Sequence, residues 1–147
     1  MSITLAEAKY YLRIDDPVEP ELDAELQSMI DAAIQYMEGK TGYIWTERDK
    51  TYFESGDGCV RIYDFPINTI TTTEQTTEKN GYTLVETSDP VVANVGYADP
   101  ADIFADIRQA ALQLIKYWYY ESEKTINTAM IPDGVKRVID LRKRFIL

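Results

Sequence analysis

Apolar residues recur at helical spacing towards both ends of the chain and at strand spacing through its middle. In the opening stretch, Leu5, Ala8, Tyr11 and Leu12 share one helical face. Thr4 and Glu7 stand at the spacing of a capping box, so a short helix to about Arg13 is expected. Pro17 and Pro20 mark an acidic link and postpone the next helix. From about Pro20 to Thr41, Leu22, Leu26, Met29, Ile30, Ala33 and Met37 form one stripe. Glu25, Asp31, Gln35 and Glu38 lie off it, and Gly42 suits a left-handed stop.

Between about Ile44 and Val95 the period shortens. The runs KTYFE, CVRIYDF, INTITTTE, YTLVE and VVANV read as strands. SGDG at Ser55–Gly58 separates the first two, and Asn80-Gly81 is a hairpin signal. The threonine run Thr69–Thr77 reads as exposed strand. Helical spacing returns near Asp99-Pro100, an N-cap followed by proline. Ile103, Ile107, Ala110, Ala111, Leu114 and Trp118 form the next stripe. A last short helix after Ile131–Gly134 sets Val135, Val138, Leu141 and Phe145 on one face, with Lys136, Lys143 and Arg144 away from it.

The expected fold is α+β and mainly α. About four helices form a bundle core, with a small antiparallel hairpin or sheet inserted between the second and third. One domain covers 1–147: N-terminal helices in 1–43, the β insertion in 44–98 and C-terminal helices in 99–147.

Composition narrows the function. There is no histidine, which removes the usual general base, the usual zinc ligand and every histidine-containing triad. The single cysteine, Cys59, reads as a half-buried strand residue. SGDGC lacks the spacing of a phosphate loop, and DDPVEPELDAE lacks the glycine of a calcium loop. No enzyme activity, cofactor or metal is expected. No apolar run reaches the ~20 residues of a membrane span, and the opening residues do not resemble a signal peptide. The net charge of −10 disfavours stable nucleic-acid binding. That charge is uneven: eight acids and no base lie between Asp15 and Glu38, whereas Lys136, Arg137, Arg142, Lys143 and Arg144 cluster late.

One stretch asks for a partner. Tyr117-Trp118-Tyr119-Tyr120 points nearly all round a helix axis, so one small core cannot receive all four rings. Trp118 continues the apolar stripe, Tyr117 borders it, and Tyr119 and Tyr120 fall opposite. The inserted sheet, the last helix or another copy of the chain could cover that pair.

The order of segments resembles the head–tail connector (adaptor, or head-completion) family of tailed bacteriophages. The residues that carry the resemblance are ITLAEAKYYLRIDDPVEPELDAELQSMIDAAIQYMEGKTG, then FPINTITTTE, VGYADPADIFADIRQAALQLIKYWYYESE and IPDGVKRVIDLRKRF, in that order over nearly the whole chain. The resemblance implies a non-enzymatic virion protein. Its copies would form a ring, usually of twelve, beneath the portal, where the ring extends the DNA channel and receives the stopper or tail. DNA would pass without specific binding, and no membrane would be involved. The chain would sit at the head–tail interface, and in the host cytoplasm during assembly.

Within that frame Tyr119 and Tyr120 are expected at subunit contacts. Glu25, Asp31 and Glu38, or else a β-hairpin, would line the channel, where acids repel phosphates. Val138, Leu141, Arg142, Lys143, Arg144 and Phe145 would dock on the portal. The competing reading is a cytoplasmic acidic interaction module, a regulator or inhibitor without a virion role. A carboxylate–metal enzyme is a third.

Overall fold

The computed structural model describes residues 3–14, 20–120 and 131–142. Four α-helices and six strands lie among them. Helix α1, Leu5–Leu12, starts where Thr4 Oγ1 accepts the Glu7 N–H at 3.1 Å. It ends at Arg13, which adopts the left-handed conformation at φ 59°. The reciprocal half of the expected capping box is replaced, because the Glu7 carboxylate turns to Arg108. Nε donates to Oε1 at 3.0 Å and an Nη to Oε2 at 2.5 Å.

Helix α2, Pro20–Thr41, buries Leu26, Ile30, Ala33 and Met37 from the expected stripe and stops at Gly42, φ 79°. Helix α3, Ala105–Tyr120, starts later than Asp99-Pro100 suggested. Asp99 instead caps a short 3-10 turn, Pro100–Asp102, accepting the Ala101 N–H at 3.0 Å. Helix α4, Asp133–Arg142, lies against α3.

The helices form one compact unit, in which residues up to 40 join 103–142. Besides Glu7–Arg108, ion pairs among its described residues include Lys9–Asp23 at 2.5 Å and Asp106–Arg142 at 2.8 Å. These pairs are partly covered, so they fix geometry more than they add stability.

Residues 41–102 form a second compact unit. It contains β1 (Arg48–Tyr52), β2 (Val60–Ile62), β3 (Ile67–Thr71), β4 (Thr76–Lys79), β5 (Tyr82–Val85) and β6 (Val91–Val95). They make two antiparallel three-stranded sheets, ordered β1-β6-β3 and β2-β5-β4. The fold is thus mixed α+β, but the β part exceeds the small insertion expected and has its own core. Ile44, Val60, Ile62, Val85, Val91, Ala93 and Val95 are buried together.

Strand β6 is central and alternates, with Val91, Ala93 and Val95 inward and Val92 exposed. Asn80-Gly81 makes the expected two-residue hairpin, with Lys79 opposite Tyr82 and Gly81 at φ 92°. The threonine run divides between β3 and β4. Gly96 is irreplaceable for two reasons: its φ is 108°, and a Cβ there would lie 2.4 Å from the Thr46 carbonyl oxygen.

Candidate subunit and channel surfaces

None of the four rings in the row Tyr117–Tyr120 is fully buried. Trp118 was expected in the core, yet it stands beyond the last buried residues, Leu114 and Ile115, and is only half-covered. Its ring meets Tyr36 of α2 edge to face at 6.4 Å. Tyr119 is half-buried and packs edge to face on Tyr120 at 5.2 Å. Tyr120 is 57% exposed, and its hydroxyl donates to the Leu12 carbonyl at 3.0 Å. That bond ties the ring to α1 while more than half of the residue stays exposed.

The Tyr120 ring belongs to a larger surface. Tyr10, Tyr11, Arg13, Ile14 and Lys116 line a depression of about 660 Å³. A second, of about 360 Å³, shares Tyr11 and Lys116 and adds Gln113, Tyr117, Tyr120 and Pro132. The Lys116 ammonium sits 5.8 Å from the centre of the Tyr11 ring. Tyr10 is 87% exposed. Sequence reasoning missed this groove because α1 and α3 contribute to it from opposite ends of the chain. The only local signal was Tyr10, which lies off the apolar stripe of α1.

The acids expected in the channel separate. Glu25 and Asp31 lie on the exposed face of α2, and Asp31 accepts a 2.9 Å bond from the Gln27 amide. Glu38 does not join them. It is only 7% exposed, and Met37 and Thr41 are buried as well. A carboxylate held there cannot line a channel.

Helix α4 is rotated from the expected setting. Val135 and Ile139 are its buried residues, Val138 is half-covered and Leu141 is 74% exposed. The reason is angular: positions i, i+3, i+4 and i+7 share a face, and Leu141 falls outside that set. Arg142 is engaged within its own subunit, with Nε 2.8 Å from Asp106 Oδ2 and the guanidinium 4.0 Å over the Phe104 ring. Lys143, Arg144 and Phe145 lie outside the described residues.

In the β unit the polar groups of the SGDG loop bond to one another. Arg61 closes the SGDG loop from within, donating to Ser55 Oγ at 3.1 Å and to Asp57 Oδ2 at 2.6 Å. The hydrogen bond from Arg61 holds the Asp57 carboxyl below the usual carboxylate range. Where a phosphate loop would present free amides to an anion, the Asp57 carboxylate already accepts the Cys59 N–H at 3.2 Å. Nearby, Asp64 Oδ2 accepts from both Lys50 Nζ and the Tyr52 hydroxyl at 2.6 Å. Burial, then the bond to Asp64, pushes the Tyr52 phenol well above its ordinary range. Among the described residues, no group of three or more Asp, Glu or Cys side chains could hold a metal ion.

No curated protein matches the chain. Its fold is similar to chains of solved particles. One, from the neck of an empty gene transfer agent particle computed with C6 symmetry, is 18% identical with a TM-score of 0.72, covering 99% of this chain and 91% of that one. Another, from the virion of the native gene transfer agent, is 19% identical with a TM-score of 0.68 and the same coverage. A third, from the native neck computed with C12 symmetry, is 18% identical with a TM-score of 0.63, covering 100% and 96%. The sequence profile described as "Phage gp6-like head-tail connector protein" matches residues 2–142. The chain therefore belongs to the phage gp6-like head-tail connector family, and its role is that of a structural connector of the virion.

Proposed function

We propose that the connector acts as a ring, of twelve copies in the virion, set between the portal and the stopper or tail at the neck. The observation that carries this reading is the family match over residues 2–142, together with a fold shared with neck chains solved in C6 and C12 symmetry. The ring continues the DNA channel and performs no chemistry.

Glu25 and Asp31 face the lumen, since no base interrupts α2 before Lys40 and an acidic wall lets a duplex slide without adhering. Tyr119 and Tyr120 contribute to contacts between copies. The exposed side of α4, with Leu141 at its centre, docks on the portal, and the bases that follow it steer the encounter. Nothing in the molecule favours the regulator reading over this one.

Mixing the purified chain with its portal and measuring mass and symmetry by electron microscopy tests the proposal. A ring seated on the portal is the expected result, and a chain that stays monomeric without portal affinity overturns it. Leu141→Asp should leave the subunit folded and abolish portal binding. Unchanged binding removes α4 from the contact.

A further inference from the structure

We propose that neighbouring copies in the ring meet through their β units, the outer face of sheet β1-β6-β3 of one copy lying on the outer face of sheet β2-β5-β4 of the next. Phe53 seats on Tyr63 and Tyr82, and Asp49 faces Lys79. The inference rests on the ring reading above and supplies it with a subunit contact.

The β unit has two outward faces, and they are unlike. Val60, Ile62 and Val85 of one sheet are buried together with Val91, Ala93 and Val95 of the other. The inner faces therefore share one core, and the outer faces point away from each other. On the first sheet the register sets Asp49 beside Asn94, and Thr51 and Thr71 beside Val92, all on the outer side. Phe53 continues the alternation of Asp49 and Thr51 just beyond β1. On the second sheet Arg61, Leu84 and Thr77 lie side by side on the outer face, as do Tyr82 and Lys79. Tyr63 follows β2, with its ring 5.3 Å from that of Tyr82.

Exposure points to a cover from outside the subunit. Phe53 is 69% exposed, and Val92 and Tyr63 are each 40% exposed. A large ring standing that far out of its own subunit is the kind of residue that anchors a contact between chains. The charges are complementary. Asp49 stands on the first face, its carboxylate accepting a 2.9 Å bond from the Asn94 amide. On the second, Arg61 is engaged by Asp57 at 2.6 Å, which leaves the exposed Lys79 as the outward cation of that face among the described residues.

The spacings also agree. Asp49 and Phe53 are four residues apart along one strand, about 13 Å. Tyr63 and Lys79 stand two strands apart, about 10 Å, and the lysine side chain extends that reach. Ring can thus meet ring while carboxylate meets ammonium, provided the strands of the two sheets cross near right angles, an established mode of sheet packing. Because the faces are unlike and lie on opposite sides of the unit, each copy offers one to each neighbour. Such a contact is heterologous, the arrangement that closes into a ring.

Assembly titrations by native mass spectrometry, with and without portal, test this. Phe53→Ser and Lys79→Glu should each raise the concentration for half-assembly by about tenfold or more, since each removes an anchor of the contact. Both positions are exposed, so melting of the subunit should not change. Asp49→Lys combined with Lys79→Glu should recover much of the loss caused by Lys79→Glu.

The wild-type chain gives a readout independent of variant folding. Zero-length carbodiimide coupling of rings mixed from nitrogen-14 and nitrogen-15 copies should join Asp49 to Lys79 across isotopes. Wild-type assembly by both single variants, no recovery in the charge swap, or inter-copy links that never include this pair would overturn the inference and leave the ring standing. A wild-type chain that forms no ring removes both.

Discussion

The two units solve the burial problem in different ways. The helical unit covers large side chains, among them Leu26, Ile30, Met37, Ile107 and Leu114, spaced along helices whose hydrogen bonds are all local. Apart from Trp45, the largest of the fully buried side chains, the β unit covers mostly β-branched ones, Val60, Ile62, Val85, Val91 and Val95. Its central ladder joins β1 to β6, strands separated by most of the unit. In the first, volume is the sensitive quantity. In the second, backbone approach is, as Gly96 beside Thr46 illustrates. The polar devices differ as well. Charged pairs link helix to helix in one unit, while the other adds to its pairs Lys50–Asp64 and Asp57–Arg61 a set of bonds among Asn68, Asn94 and Asp49 across the face of a sheet.

Substitutions can break this contrast. Leu26→Ala should have the largest effect, a loss of about 3–4 kcal/mol by urea denaturation, because a fully buried side chain leaves a cavity in a helical core. A loss below about 1 kcal/mol would mean that this core is not volume-limited.

Gly96→Ala should come next, at about 2–3 kcal/mol, since the added methyl meets backbone and the positive φ is strained. If it is tolerated, backbone approach is not what limits the β unit.

Trp118→Ala should cost about 1–2 kcal/mol, less than the ~3–5 of a fully buried aromatic, because the residue is half-covered, with its ring edge to face against Tyr36. Glu7→Gln should cost about 1 kcal/mol by removing a bidentate pair that water partly screens.

The smallest effect at neutral pH should be that of Tyr52→Phe, and it should depend on pH in a defined direction. The folded phenol ionises above its ordinary range, so the fold favours the protonated form. That contribution is complete below about pH 10, the ordinary tyrosine value, and is lost as pH rises beyond it. Between pH 9 and 11 the melting temperature of the wild type should therefore fall further than that of Tyr52→Phe. Parallel curves would show that the Tyr52–Asp64 bond does not couple to folding.

Much of the architecture follows from the chain alone. The stripe Leu26, Ile30, Ala33 and Met37 marks α2, Thr4 marks the start of α1, Gly42 marks a stop, and Asn80-Gly81 marks a hairpin. Each of these rests on residues a few positions apart, where the backbone geometry is already specified. The ordered motifs also identify the family, because they record the whole chain at once. Other features needed the tertiary structure. The face that α4 buries was ambiguous because Val138 borders two possible stripes, and only packing against α3 chose Ile139 over Leu141. On the helical wheel Glu38 looks like Glu25 and Asp31, yet it is buried where they are exposed. Which strands pair could not be read, since β1 and β3 carry patterns that would suit several partners and only the shared strand β6 joins them. The groove has the same origin: Tyr11 and Lys116 lie 105 positions apart, and no local periodicity reports a contact that exists only after α1 and α3 come together.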